Sequence, residues 1–95
     1  MLDPTLLLLA SLADGQKHGY AMMTDIEAFA GIRLGAGTLY GAITRAEQRG
    51  LIESAGLAER RQPYRLTPAG RQQLRERLKL LDRVQRAAAR REGVS

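Results

Sequence analysis

Cysteine and tryptophan are both missing from this chain, and each absence closes off a class of chemistry. Without cysteine there is no disulfide, no thiolate metal site and no thiol nucleophile, a composition suited to a reducing cytoplasm. Aromatic side chains are limited to Tyr20, Phe29, Tyr40 and Tyr64, so the core has to be built from aliphatic residues. His18 is the single histidine, which removes any metal site made of several imidazoles. No carboxylate pair, metal cluster or nucleophile–base set stands out, and the chain reads as a non-enzyme that needs no cofactor. Long apolar stretches are missing too. Asp3 and Asp14 bracket the run Leu6-Leu7-Leu8-Leu9 in a stretch about half the roughly 20 residues of a membrane-spanning helix. The acidic start Met1-Leu2-Asp3 is unlike a secretory signal. These leucines are expected in a buried helix.

What is present amounts to one small core in 95 residues, 44% of them hydrophobic. The net charge of +5 is unevenly spread. Residues 1–50 carry four basic and five acidic groups, residues 51–68 three and two, and residues 69–95 eight and three. The basic excess therefore sits at the end of the chain, which weakens any inference from net charge alone.

Asp3-Pro4 has the form of a helix cap followed by proline at the first helical position, and predicts a first helix from Pro4 to about Ala13. A second helix is expected from about Tyr20 to Ala30, with Met22, Met23, Ile26 and Phe29 on its apolar side and Gly31 stopping it. Ile32-Arg33-Leu34 alternates like a short extended link. A third helix is expected from about Ala36 to Arg49, closed by Gly50, with Leu51 folding back onto the core. Leu51-Ile52-Glu53 and Tyr64-Arg65-Leu66 read as two strands of a hairpin with a mobile tip that includes Gly56, Glu59, Arg60 and Arg61. Thr67-Pro68 repeats the cap-and-proline device and opens a fourth helix reaching about Arg90, before a frayed tail.

The third helix is the most informative of these. Leu39, Ile43 and Ala46 form its apolar stripe, and Thr38, Gly41, Ala42, Arg45 and Arg49 are expected on the other face. A helix that is small and polar at its start and basic further along suits a DNA major groove, with arginines reaching phosphates. Thr38 and Tyr40 offer hydroxyls; Tyr40 has the alternative of packing on the second helix. Gly37 and Gly41 allow close backbone approach. Arg45 is free of the helix end, whereas Arg49 lies where the helix dipole alone favours a cation. Lys17, His18 and Tyr20 stand at the start of the second helix, within reach of a backbone phosphate; a lone histidine also serves as a local hydrogen-bonding residue. Arg60 and Arg61 contact DNA from the hairpin or decorate a solvated turn. The expected DNA-binding set is thus Lys17, His18, Tyr20, Gly37, Thr38, Tyr40, Gly41, Arg45, Arg49, Arg60 and Arg61.

The fourth helix carries Leu74, Leu78 and Leu81, continued by Gln85 and Ala88, with Leu80, Val84 and Ala87 beside them. So wide a seam needs a partner helix, and a second copy of the chain is the simplest one. Leu6, Leu9, Leu74, Leu78, Leu81, Val84 and Ala88 are expected at that interface. The expected class is mainly α (α+β): a winged helix-turn-helix over residues 1–67 with a long C-terminal dimerisation helix over residues 68–92.

Four motifs in register add a family resemblance. His18-Gly19-Tyr20, Gly37-Thr38-Leu39-Tyr40, Gly50-Leu51-Ile52-Glu53 and Tyr64-Arg65-Leu66-Thr67-Pro68-Ala69-Gly70, spread over roughly residues 4–80, resemble the PadR family of transcriptional regulators. The resemblance implies a cytoplasmic homodimer that represses transcription from a palindromic operator in double-stranded DNA. It also implies a small-molecule effector at the dimer interface, such as a phenolic acid or a hydrophobic drug. Gly35-Ala36 stands where many relatives have Ser-Pro, which implies a looser start to the third helix. Pro63 replaces a second aromatic or a lysine, which implies a later start for the second hairpin strand. The lack of tryptophan argues against a flat aromatic drug. Two other readings fit the same residues: a winged-helix module that binds protein, and a nucleoid-type protein that binds DNA without sequence preference.

Overall fold

Helix α1 (Pro4–Ser11) starts at the cap the sequence supplies: Asp3 lies in extended backbone, and its carboxylate accepts the Leu6 N–H at 2.9 Å. The computed structural model describes residues 3–56 and 60–93. Leu6, Leu7, Leu8 and Leu9 are all buried, although successive helical positions point about 100° apart. Only a helix enclosed on all sides can achieve this. Helix α2 (Gly19–Ala30) encloses it with Met22 and Ile26, helix α3 (Ala36–Gln48) with Leu39, Ala42, Ile43 and Ala46, and helix α4 (Pro68–Arg91) with Leu74. Past Ser11 the chain tightens into a single 3₁₀ turn, Leu12–Asp14, so α1 is shorter than its expected run to Ala13.

Among the described residues three short strands complete the fold: β1 (Lys17–His18), β2 (Ile52–Ser54) and β3 (Pro63–Leu66), antiparallel in the order β1-β3-β2. Only the hairpin of β2 and β3 was expected, because two residues are too few to display alternation. Strand β3 begins at Pro63 itself rather than later. Proline has no N–H to give, but its carbonyl accepts from Ala55 at 2.9 Å and its ring is buried opposite His18. Glu53 and Arg65 face each other across the hairpin and pair at 2.9 Å. The expected hairpin tip around Glu59, and the last two residues of the tail, lie outside the described residues.

Helix α3 is closed and α4 opened at one junction. Gly50, at φ 73°, donates to the Glu47 carbonyl, and Leu51 donates to that of Ala46 at 2.9 Å, a Schellman closure. Thr67 then donates its N–H to the Leu51 carbonyl and its hydroxyl to that of Gly50, while its Oγ1 caps α4 by accepting from Gly70. A Cβ on Gly70 would stand 2.8 Å from the Leu51 carbonyl carbon and overlap its oxygen. The glycine lets α4 cross the end of α3 in contact.

Two sequence expectations about apolar residues change here. Phe29 is 51% exposed, because the inward series on α2 runs Met22, Ile26 and the partly buried Ala30 at intervals of four. Leu6, Leu9 and Leu74, expected at a subunit interface, are instead covered within their own chain at 5%, 0% and 5% exposure. Leu74 lies in the first two turns of α4, which belong to the same core as α1. Beyond it, Leu78, Leu80, Leu81 and Val84 are 42–57% exposed.

Asp3 also ties the start of the chain to α4, accepting from both terminal guanidinium nitrogens of Arg77. That bond is the main reason its carboxyl is held below the usual aspartate range. Asp3→Asn keeps a good cap and loses the charge. At neutral pH the variant should be less stable by no more than about 1 kcal/mol, the scale of a half-exposed pair. A depressed carboxyl stabilises above its unfolded-state value and stops doing so as pH falls through the folded one. Chemical denaturation should therefore show the gap between the two proteins closing in acid; a gap independent of pH contradicts the ion pair. Gly70→Ala should cost about 1–3 kcal/mol, the usual range for overpacking, with the loss seen as a lower unfolding midpoint.

Candidate nucleic-acid interface

Four buried residues of α3, Leu39, Ala42, Ile43 and Ala46, fall within about 100° of helix circumference and set its inward face. Ala42 belongs to this face and not to the outward one expected for it: it lies three residues after Leu39 and four before Ala46. Opposite lie Thr38, Gly41 and Arg45, with Gly37 and Arg49 exposed at the two ends. Gln48, which sequence inspection passed over, is exposed on the same side, three residues beyond Arg45. Its amide is a donor–acceptor pair of the kind that reads an adenine edge. A Cβ on Gly41 would meet only the Arg45 guanidinium, at 3.3 Å, so that side chain lies back over the glycine toward the helix start. Gly35 caps α3 without any side-chain bond, consistent with the missing Ser-Pro.

Tyr40 turns to the flank of this face. Its ring rests on Gly19 at the start of α2, where an added Cβ would stand 2.6 Å from the ring carbon bearing the hydroxyl. It is still 48% exposed, so both readings of Tyr40 hold in part: the ring packs on α2 and one edge remains accessible. Gly19 therefore matters as a seat for an aromatic ring. The sequence hint was its place in the His18-Gly19-Tyr20 motif, whose three-dimensional partner could not be read from the chain. Tyr64 lies close by; burial, and then the charge of Glu47, push its phenol up, so it stays protonated.

The hairpin stands beside Tyr40. Arg61 Nη1 is 3.0 Å from His18 Nε2, and both side chains line a cleft of about 370 Å³ together with Gly19, Tyr20, Tyr40, Arg60 and Gln62. Gln62 braces the turn, donating to Ser54, to the Gly56 carbonyl at 3.0 Å and to the Pro63 carbonyl. Arg60 adopts φ 67°, a left-handed conformation unusual for a side-chain-bearing residue. Among the described residues no carboxylate lies within ion-pair distance of Arg45, Arg49, Arg60 or Arg61, whereas Arg33, Arg65, Arg77 and Arg86 are each paired.

Lys17 does not join this group. Its ammonium turns inward to the Ser11 carbonyl and the Asp14 carboxylate, both at 2.5 Å, with Asp25 at 4.0 Å. Ser11, itself buried, donates to Asp25 at 2.7 Å. Lysine next to a helix start looks the same in sequence whether it faces solvent or two aspartates. Here it fastens β1 to the end of α1 and to α2. His18, Tyr20, Tyr40, Arg60 and Arg61 do come together in one cleft, and Gly37, Thr38, Gly41 and Arg45 lie on α3, the helix that carries Tyr40.

Comparison with known proteins bears on the family and the fold. Residues 8–76 match the family of PadR-like transcriptional regulators. A 72-residue stretch is 47% identical to an uncharacterized 37.1 kDa protein in transposon TN4556 of Streptomyces fradiae, covering 76% of this chain. The chain spans only 21% of the length of that relative. Among solved structures, a PadR family transcriptional regulator from Eggerthella lenta superposes with a TM-score of 0.79 at 28% identity, covering 96% of this chain and 82% of that one. Bacillus subtilis PadR in complex with operator DNA shares the fold at a TM-score of 0.69 and 21% identity, over 78% of this chain and 45% of that one.

The seat under Tyr40 has a direct test. Gly19→Ala should leave the circular dichroism spectrum intact and push the Tyr40 ring away from α2, seen as loss of NMR cross-peaks between the two. Unchanged cross-peaks contradict this packing.

Proposed function

The chain belongs to the PadR-like family of transcriptional regulators, and from that premise we propose that it is a sequence-specific repressor that binds a palindromic operator as a homodimer. The observation that supports this most is the outward face of α3, where Thr38, Arg45 and Gln48 are exposed around a half-buried Gly41, beside hairpin arginines that have no carboxylate partner among the described residues. In this reading the start of α3 enters the major groove. Gly41 lets the helix backbone approach, Thr38 and Gln48 meet base edges, and Arg45 reaches a guanine or a flanking phosphate. Arg60 and Arg61 hold the backbone alongside, as a wing does. The operator complex of the Bacillus subtilis relative is in keeping with this use of the fold.

Dimerisation follows from α4. A helix of 24 residues is about 36 Å long, and among the described residues its apolar seam beyond Leu74 finds no cover. In the proposed dimer Leu78, Leu81, Val84 and Ala88, with Leu80 alongside, meet the same residues of a second copy. Two α3 helices about 34 Å apart then read successive turns of one DNA face. An effector bound between the subunits would act by changing that spacing. A regulator of this kind works in the cytoplasm, where its DNA is.

Two variants separate the parts of this reading. Arg45→Ala should weaken binding to DNA from the chain's own upstream region at least tenfold, the value of one good base or phosphate contact. An affinity within threefold of the parent places the reading face elsewhere. Changing Leu78 and Leu81 together to glutamate should give monomers in sedimentation velocity with the helical content kept. A persistent dimer rules out this seam as the interface.

A further inference from the structure

His18 is asked to accept two hydrogen bonds and has one lone pair to offer. Its Nδ1 caps α2 by accepting the Ala21 N–H at 3.2 Å, so in the neutral ring the proton sits on Nε2. That Nε2–H then faces Arg61 Nη1, a permanent donor, at 3.0 Å. Two donors set head to head repel unless an acceptor lies beside both. No carboxylate among the described residues pairs with Arg61. The cleft in which the two groups meet also holds Arg60 and the phenols of Tyr20 and Tyr40, and Tyr40 belongs to the first turns of α3.

We infer that this cleft is a seat for a single DNA phosphodiester, whose non-bridging oxygens accept from His18 Nε2–H and the Arg61 guanidinium together. The inference rests on the DNA-binding reading above and adds to it a specific pair. The helix cap fixes the histidine tautomer, so His18 acts as an oriented neutral donor, while Arg61 supplies the charge. A phosphodiester suits the site because it is an anion with two acceptor oxygens, and because the cleft adjoins the outward face of α3 along which a DNA backbone would run. The phosphate would join the hairpin to α2 by replacing a donor–donor contact with two charge-assisted bonds. Recognition of the backbone would then lock the hairpin beside the reading helix.

The experiment uses the full chain and a duplex from its own upstream region, with His18→Asn, Arg61→Gln and the double variant. Asparagine is as good a cap as any, so His18→Asn should keep the unfolding temperature and lower affinity about tenfold, the value of one hydrogen bond to a charged group. Because the lost donor is neutral, its salt dependence should match the parent. Arg61→Gln should lower affinity similarly and flatten the log–log salt slope by about one per subunit. The double variant should lose less than the product of the two, since both groups serve one phosphate. In ¹⁵N NMR, the free parent should show the proton of His18 on Nε2, and that proton should move downfield on adding the duplex. A parent that binds while both single variants bind equally well overturns the seat and leaves the DNA reading standing. A proton on Nδ1 overturns the seat too. A parent that binds no duplex overturns both.

Discussion

Four leucines in a row, each needing cover on a different side of one short helix, are the constraint on which this structure depends. A helix that is apolar all round cannot sit at a surface. Leu6 to Leu9 therefore make α1 the centre of the molecule, and α2, α3 and the base of α4 are positioned by having to surround it. Each surrounding helix gives up one face to α1 and keeps the other. For α3 the face given up is the stripe Leu39, Ala42, Ile43 and Ala46, which leaves Thr38, Gly41, Arg45 and Gln48 facing outward. The exposed surface of α3 is thus a consequence of the core, held in place by the Gly50–Leu51–Thr67–Gly70 junction that fixes its far end against α4.

The same constraint divides α4. Its first two turns are consumed by the core through Gly70 and Leu74, and the rest projects from it, giving the molecule a long dimension of 52 Å against 26 and 20 Å. A projecting helix with leucines and valine 42–57% exposed is poorly explained by a lone chain. A second copy would use the seam with no change to the core.

Much of this was legible in the sequence, and for local reasons. Asp3-Pro4, Gly31, Gly50 and Thr67-Pro68 are stop and start signals whose chemistry acts within a few residues, and each helix end fell within about two residues of its expected place. What was illegible depended on three-dimensional partners, some of them far along the chain. Strand β1 exists because Tyr64 and Pro63 run beside it, Lys17 turns inward because two aspartates converge on it, and Phe29 is exposed because Ala30 takes the core position. The pairing of His18 with Arg61 spans 43 residues and leaves no pattern in either segment. For the candidate site, residue types and motif order singled out α3, the start of α2 and the hairpin; the fold turns Ala42 and Lys17 inward, seats Tyr40 on Gly19 and leaves Gln48 exposed on the outward face of α3. The assignment of Leu6, Leu9 and Leu74 to an interface failed because an apolar stripe looks the same whether it faces its own core or another subunit.

The central claim is that the outward face of α3, flanked by the hairpin, reads a DNA sequence. Fluorescence anisotropy of the purified chain on its own upstream DNA and on a scrambled duplex, over a series of salt concentrations, tests it most directly. The account predicts a preference above about 10³ for the true site. With 3–4 phosphates held by each subunit, it also predicts a log–log salt slope of roughly −5 to −7 for the dimer. Equal, steeply salt-dependent binding to both duplexes, or binding to neither, would contradict it.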